Sequence, residues 1–241
     1  MPLYRTPLEG LLLRAGAVMV PRDGWCVAAH FGSPAGELAV CSSGVGLVDR
    51  SELSKLELCG YPDAIDQVVC EVADCRLEPN EVAHAGGVVW CSASPDRVFA
   101  LCEPALAFSL SERLHSAVSR APGALLTDET DELAALSLLG PSAPSVVAAL
   151  GAWNLETIGL PQPSFAATTL RDIPVYLLAE SSVRVLLLVK REYAAPLFKL
   201  LERVGRRYGL SCVGFEAAER FGMIERQLLT GRGRASAPHP V

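Results

Sequence analysis

The chain has 241 residues, 50% of them hydrophobic and 20% charged, a composition that favours a folded core over disorder. Its formal net charge of −6, without a visible basic stripe, argues against a protein that binds nucleic acid. The longest apolar runs, such as 183–189, are far shorter than the roughly 20 residues of a membrane span, and no secretory signal opens the sequence. We therefore expect a cytoplasmic protein that binds neither membrane nor nucleic acid.

Eight cysteines and four histidines are scattered along the chain without the spacing of a metal site. No Cys-x-x-Cys pair occurs, and the closest pair, Cys70 and Cys75, is five residues apart. Disulfide frameworks belong to small secreted domains, and several of these cysteines lie inside apolar runs, where a thiol behaves as a small hydrophobic group. The sequence therefore predicts reduced, mostly buried thiols and no bound metal.

The first half of the chain predicts short helices and strands in alternation. Thr6 and Pro7 suit the N-cap and the first position of a helix, and Ser33-Pro34 precedes a second one. In chain order we predict a helix from Thr6 to near Gly16, a strand over 25–30, a helix after Ser33-Pro34 that ends near Gly44 and Gly46, a strand over 55–59, a helix over 64–70, and strands over 75–77, 87–91 and 98–102.

The second half predicts longer helices. Leu197, Leu200, Leu201 and Val204 share one face of a helix over 192–208, and arginines crowd its end. The other predicted elements are a helix over 106–118, an acidic solvated segment over 128–132 leading into the apolar 133–139, a helix ending near 150, paired strands over 174–179 and 183–189, and a helix over 215–229.

The irregular order of strands and helices favours an α+β fold over a doubly wound sheet. We expect one module over residues 1–228, made of two interleaved α/β subdomains. Residues 229–241, rich in Gly, Pro, Ala and Ser, are predicted to be a disordered tail. The common catalytic templates do not occur, because there is no Walker loop, no Gly-x-Gly-x-x-Gly before a helix and no Gly-x-Ser-x-Gly turn.

Five short motifs nevertheless follow one another in a distinctive order across residues 6–228. They are TPL…GAVMVPRDGW, GVGLVDRSELSKLELCGYPDAIDQ, HAGGVV, LAALSLLGPSAPSVVAAL and GFEAAERFGMIE. In this order they resemble the glycine cleavage T protein, or aminomethyltransferase, family. The broader superfamily includes sarcosine oxidase gamma subunits, YgfZ-type folate-binding proteins and the N-terminal part of a tRNA-modifying GTPase.

The resemblance implies a module of ferredoxin-like subdomains around a central cavity for tetrahydrofolate. The aminomethyltransferase also carries a C-terminal barrel domain, and the present sequence ends before such a domain begins, so in size it is similar to the gamma subunits. Tetrahydrofolate is thus the cofactor that the resemblance implies, without a metal.

Departures from the family pattern fall at its functional positions. Where the family has two aspartates after its Gly-Gly turn, one of them beside the reacting folate nitrogen, this sequence has Trp90 and Cys91. We expect Trp90 to point into the cavity and fill it, although a core tryptophan is the alternative. Glu180 is the one candidate for the carboxylate that grips the pterin, with a solvated hairpin-turn residue as the alternative. Leu53 stands where the family has a methionine near the folate, and a plain core leucine is its alternative.

These departures leave no predicted catalytic residue, and they leave Glu180, Trp90, Leu53 and Cys91 as candidate cofactor-site residues. The hypothesis favoured is an accessory or degenerate folate-binding module that works as a subunit beside a flavin-dependent oxidase or dehydrogenase. Two alternatives are an active tetrahydrofolate-dependent aminomethyl- or methyltransferase, and a scaffold of the same fold that binds an unrelated ligand or protein.

Overall fold

The computed structural model describes residues 3–151 and 163–232, without the side chains of 226–232. Within these ranges the chain forms seven α-helices and fourteen strands in three sheets. The helices are α1 (Glu9–Arg14), α2 (Pro34–Ser43), α3 (Pro62–Ala73), α4 (Pro104–Val118), α5 (Ala143–Ala148), α6 (Arg191–Gly205, followed by a 3-10 turn over Arg206–Tyr208) and α7 (Phe215–Arg232). The strands are β1 (Tyr4–Arg5), β2 (Val18–Arg22), β3 (Trp25–His30), β4 (Val45–Asp49), β5 (Ser54–Gly60), β6 (Val82–Ala85), β7 (Val88–Ser94), β8 (Arg97–Cys102), β9 (Ala124–Asp128), β10 (Leu133–Leu139), β11 (Ser164–Leu170), β12 (Ile173–Ser181), β13 (Arg184–Lys190) and β14 (Leu210–Cys212).

The segment from β5 to β9 forms a ferredoxin-like unit. Its sheet has the order β6-β7-β8-β5-β9, in which β5, β7, β8 and β9 with α3 and α4 follow the βαββαβ pattern. Leu56 and Leu58 of β5 alternate with polar residues, so they face α3 and α4, where Ile65 and Leu114 complete a buried core.

A second ferredoxin-like unit is built from β10 to β14, and it contains one foreign strand. Its sheet has the order β11-β12-β13-β10-β4-β14, so β4, from far earlier in the chain, lies between the first and last strands of the unit. Helices α1, α5 and α6 cover one face through Leu12, Val146 and Leu197. The first unit is therefore inserted, along the chain, between β4 and the rest of the second.

The two large sheets stack on each other through their remaining faces. The layer between them holds apolar side chains of β7, β8, β10, β11, β12 and β13. The architecture is thus four layers, helix–sheet–sheet–helix, which explains why both faces of each large sheet are buried. The small sheet, in the order β1-β3-β2, packs with α2 and α7 at the side of the second unit.

The structure confirms the predicted α+β class and many of the predicted elements. Helix α2 begins where Ser33 caps it, with Ser33 Oγ accepting a hydrogen bond from the Gly36 N–H at 3.3 Å. The predicted strand over 75–77 was wrong, because α3 runs on to Ala73 and Asp74 then turns the chain in the left-handed region (φ 54°). The strands that were not predicted include β1, β2, β4, β6, β9, β11 and β14.

The last helix is longer than the sequence suggested, since α7 continues to Arg232 through the beginning of the predicted tail. The rest of that tail, 233–241, lies outside the described residues. Among the described helices, none combines the length and apolar character needed to cross a bilayer.

Candidate functional site

The layer between the two large sheets is where the family resemblance implies a ligand cavity, and it contains a cluster of buried apolar side chains. Phe99, Phe165 and Tyr176 form an aromatic cluster there, with ring centroids 4.8 Å apart for Phe99–Tyr176 and 5.6 Å apart for the other two pairs. Phe165 and Tyr176 stack nearly parallel, 9° apart. Such a cluster contributes strongly to core packing, so the two units are held together by it.

A cleft of about 390 Å³ opens between the sheets beside the aromatic cluster. Its volume lies in the usual range for small-molecule sites. Phe99 and Tyr176 form part of its wall, and its charged groups come from Glu57, Arg97, Glu129 and Lys190, which lie on strands or directly after one.

Glu57 and Arg97 are the fixed polar pair of the cleft. Arg97 Nε lies 2.8 Å from Glu57 Oε1, and Arg97 Nη1 donates to the Tyr176 hydroxyl at 3.0 Å. Burial raises the pKa of Glu57, and the Arg97 charge opposes that shift. The cleft therefore offers a carboxylate, a guanidinium and two aromatic walls, which together suit a planar ligand with polar edges.

Glu180 lies at the far end of β12, beside an irregularity in the pairing of β12 with β13. Its carboxylate lies 3.3 Å from Arg184 Nε, and the same guanidinium lies 3.0 Å from Glu225 Oε2. Burial raises the pKa of Glu180, whereas Arg184 and Arg50 lower it. Glu180 thus belongs to a partly buried ion-pair cluster rather than to a free hairpin turn.

The structure separates the other predicted site residues. Cys91 is buried in the layer between the sheets, and burial raises the pKa of its thiol well above the ordinary value. Leu53 packs, half-buried, against the same layer. Trp90 instead faces the helices and packs in the core with α3 and α4, so the expectation that it fills the space between the sheets was wrong. Alternation along β7 places the two neighbours on opposite faces.

A buried polar connection joins β4 and β5, and its lysine was not predicted from the sequence. Lys55 is fully buried, and its ammonium donates to the backbone carbonyls of Ser51 and Leu53. Asp49 accepts from the Ser51 hydroxyl at 2.6 Å and from the Ser51 N–H at 3.1 Å. Burial lowers the pKa of Lys55 to about 8 and raises that of Asp49 to about 6.

This polar connection links β4 of one large sheet to β5 of the other, so it helps to hold the two sheets in their relative position. The signal in the sequence was the alternation over 55–59, which places Lys55 on the same face as Glu57 and away from the helices. In the part of the chain that the structure describes, no three His, Cys, Asp or Glu side chains group as metal ligands would.

Two ferredoxin-like units stacked sheet to sheet, one inserted into the other, give this chain a glycine-cleavage T-protein-like fold. Aminomethyltransferase T of the glycine cleavage system from Bartonella henselae matches it with a TM-score of 0.75 at 16% sequence identity, over 89% of this chain and 60% of that one. A chain of the heterotetrameric sarcosine oxidase from Corynebacterium sp. U-96, solved with pyrrole 2-carboxylate, matches with a TM-score of 0.62 at 18% identity, over 86% of this chain and 97% of that one.

No protein-family model and no curated protein matches the sequence. At these identities the two solved structures establish the fold, and the chain spans 60% of the length of the aminomethyltransferase. The resemblance seen in the order of the five sequence motifs is therefore confirmed at the level of the fold.

Proposed function

We propose that this protein is an accessory module of the T-protein-like fold that does not itself carry out aminomethyl transfer. The observation that carries the proposal is the face of β7 that lines the layer between the sheets. Where the family resemblance implies a carboxylate, that face presents the thiol of Cys91, whose raised pKa keeps it neutral. A neutral thiol supplies no charge to stabilise a developing cation in the transition state.

The packing of the layer supports the same conclusion. The aromatic cluster of Phe99, Phe165 and Tyr176 fills part of the layer, and Glu180 forms an ion pair with Arg184. A pterin gripped by Glu180 would have to compete with this ion pair for the carboxylate. The loss of a free carboxylate at both positions favours a module that has kept the fold and changed its use.

We propose a flavin-dependent oxidase or dehydrogenase acting on amines as the partner. The sarcosine oxidase chain of similar fold is part of a heterotetramer and is matched over 97% of its length. The accessory role therefore predicts a stable complex when this chain is co-expressed with the flavoprotein encoded nearest to it. Absence of any complex, by size-exclusion chromatography of the co-expressed pair, would contradict the role of a subunit.

The transfer reaction provides the direct test. Purified protein supplied with tetrahydrofolate and an aminomethylated carrier protein is expected to form no methylene-tetrahydrofolate above background. Loss of one stabilising charge commonly lowers a rate by about 10²–10³. Turnover within about a hundredfold of an authentic aminomethyltransferase would therefore refute the proposal.

A second candidate function, retained binding of a tetrahydrofolate-type ligand, is favoured by the open cleft. Glu57 is a largely buried carboxylate in this cleft, whose wall includes the rings of Phe99 and Tyr176. A carboxylate that accepts two N–H donors suits a pterin, although such a ligand would have to compete with Arg97 for Glu57 as it would with Arg184 for Glu180. Calorimetric titration with 5-formyltetrahydrofolate tests it. Binding that is lost in Glu57→Gln but kept in Glu180→Gln locates the ligand in the cleft, and Glu112→Gln on the exposed surface of α4 is the matched control. The reverse pattern assigns the ligand to Glu180, and no binding by the wild type excludes this function.

A further inference from the structure

Five exposed basic side chains form a face on the helical side of the second unit. This basic face consists of Arg171, Lys199, Arg203, Arg206 and Arg207. None of the five forms an ion pair with a carboxylate among the described residues. Because the whole chain carries a net charge of −6, this concentration of unpaired positive charge runs against its overall balance.

Two adjoining clefts lie on the basic face, with volumes of about 390 and 310 Å³. Arg171 and Arg203 line both of them, and among the described residues neither is lined by a carboxylate. Apolar groups complete the lining, from Ile173, Pro196 and Leu200 in the larger cleft and from Ala149 and Val204 in the smaller one. Each cleft therefore has an apolar base and a cationic rim.

Two of these arginines have a distinctive local setting. Arg171 sits in the tight turn between β11 and β12 with a φ of 47°, and the guanidinium of Arg207 lies 4.8 Å from the centre of the Tyr208 ring. Basic residues at the end of a helix stabilise its dipole, which accounts for Arg203 in the last turn of α6. The dipole does not account for Arg171, which comes from a hairpin at the opposite side of the same clefts.

We infer that the basic face binds an acidic segment of a partner protein, one in which carboxylates alternate with apolar side chains. Guanidinium groups pair carboxylates in bidentate fashion, and the apolar cleft bases take the side chains between the acids. An inorganic polyanion would use the rim alone and leave the apolar lining without a role. This inference rests on the proposed accessory role only where it takes the acidic segment to come from a partner protein. The choice of acidic and apolar side chains follows from the basic face alone.

A peptide experiment tests the inference independently of any flavoprotein. The probe is a short fluorescein-labelled peptide of glutamates interspersed with leucines, and its binding is measured by fluorescence polarisation at low and high salt. We expect salt-sensitive binding that falls by at least about tenfold in Arg171→Glu/Arg203→Glu/Arg206→Glu, because three rim charges are reversed. Arg76→Glu, an exposed arginine of the first unit, is the control and should bind like the wild type.

Three outcomes of the peptide experiment overturn the inference. They are equal binding by the triple variant, equal binding of a peptide with glutamine in place of glutamate, and equally tight competition by inorganic tripolyphosphate, which would indicate a phosphate site. Circular dichroism of each variant confirms that the fold is kept. If the triple variant does not fold, Arg203→Gln/Arg206→Gln is used instead.

Formation of the complex between this chain and the co-expressed flavoprotein is the second test. A wild-type complex that is lost in the triple variant and kept in Arg76→Glu identifies the basic face as the interface. A complex that forms equally well with the triple variant overturns the inference and leaves the accessory role intact. Absence of a wild-type complex contradicts the accessory role, whereas the peptide result still decides the chemistry of the face.

Discussion

Trp90 offers a sharp test of the packing, because its indole N–H is buried without a hydrogen-bond partner among the described residues. The side chain is only 1% exposed and lies against α3 and α4. Replacing it with alanine leaves a large cavity and should lower the free energy of unfolding by about 3–5 kcal/mol. Replacing it with phenylalanine removes the unpaired donor as well, which returns about 1–3 kcal/mol of desolvation cost.

The loss of ring area in Trp90→Phe costs about 1–3 kcal/mol, so the two terms nearly cancel and the net change is within about 1 kcal/mol. Urea unfolding followed by circular dichroism measures both variants. Trp25→Phe is the matched control, because Trp25 is buried against Tyr4 and its indole nitrogen is not among the buried unpaired atoms. We expect Trp25→Phe to be the more costly of the two phenylalanine substitutions.

The orientation of Trp90 leads to a second expectation, about ligand binding. Since the ring lies on the helical side of the five-stranded sheet, neither Trp90 variant should change binding of 5-formyltetrahydrofolate by the folded protein. A Trp90→Phe variant as unstable as Trp90→Ala would refute the argument from the unpaired N–H. Altered ligand affinity in Trp90→Ala would refute the orientation.

Three further predictions concern charge and thiols. Between its folded pKa of about 8 and its ordinary value of 10.5, Lys55 binds more protons in the unfolded chain, so its own contribution to stability rises with pH by up to about 3 kcal/mol. The thiols of Cys41, Cys91 and Cys102, whose pKa burial raises, act in the opposite direction above pH 9. We therefore expect the free energy of unfolding of the wild type to gain on that of Lys55→Met from pH 8 to pH 10.5 when urea unfolding is measured at each pH, and a constant difference would contradict the account. Arg184→Gln should cost about 1–2 kcal/mol at neutral pH, because Glu180 and Glu225 lose their shared cation. The deficit should shrink at lower pH as Glu180, whose pKa burial raises, becomes protonated, and a pH-independent deficit would contradict the ion-pair account. When a thiol reagent is added without reductant, all eight cysteines should react in the denatured protein. In the native protein the three buried thiols should stay protected, namely Cys41, Cys91 and Cys102. Fewer than eight reactive thiols in the denatured protein would reveal disulfides.

Sequence patterns predicted those elements whose boundaries carry local signals. Ser33 and Pro34 begin α2 as expected, and the strand over 25–30 matches β3. Strand β4 was missed because GVGLVD combines two glycines with a short apolar run, and its role depends on pairing with β10 and β14 from distant parts of the chain. Packing explains the glycine at position 46, since a Cβ there would lie 2.5 Å from Cys41 Sγ.

The candidate site was predictable only in part, for a related reason. Alternation along β7 turns one of Trp90 and Cys91 toward the second sheet, but in a four-layer fold both faces of a strand are buried, so hydrophobicity does not distinguish them. The size of the indole suggested the wrong one. The ion pair between Glu180 and Arg184 and the buried ammonium of Lys55 depend on tertiary packing, which no short motif encodes.

The insertion of one ferredoxin-like unit into the other constrains the order in which the chain folds. Strand β4 pairs with β10 across a gap that contains the whole first unit, and closing so long a loop in an unfolded chain carries a large entropic cost. The first unit is contiguous, and its first and last strands along the chain, β5 and β9, pair with Leu56 opposite Asp128, so its formation brings β4 and β10 together. The Arg50 N–H then bonds the Ala135 carbonyl at 2.8 Å. We therefore expect the inserted unit to fold first and the outer unit to close on it, so that mutations that slow the folding of the inserted unit also slow that of the outer one in stopped-flow refolding.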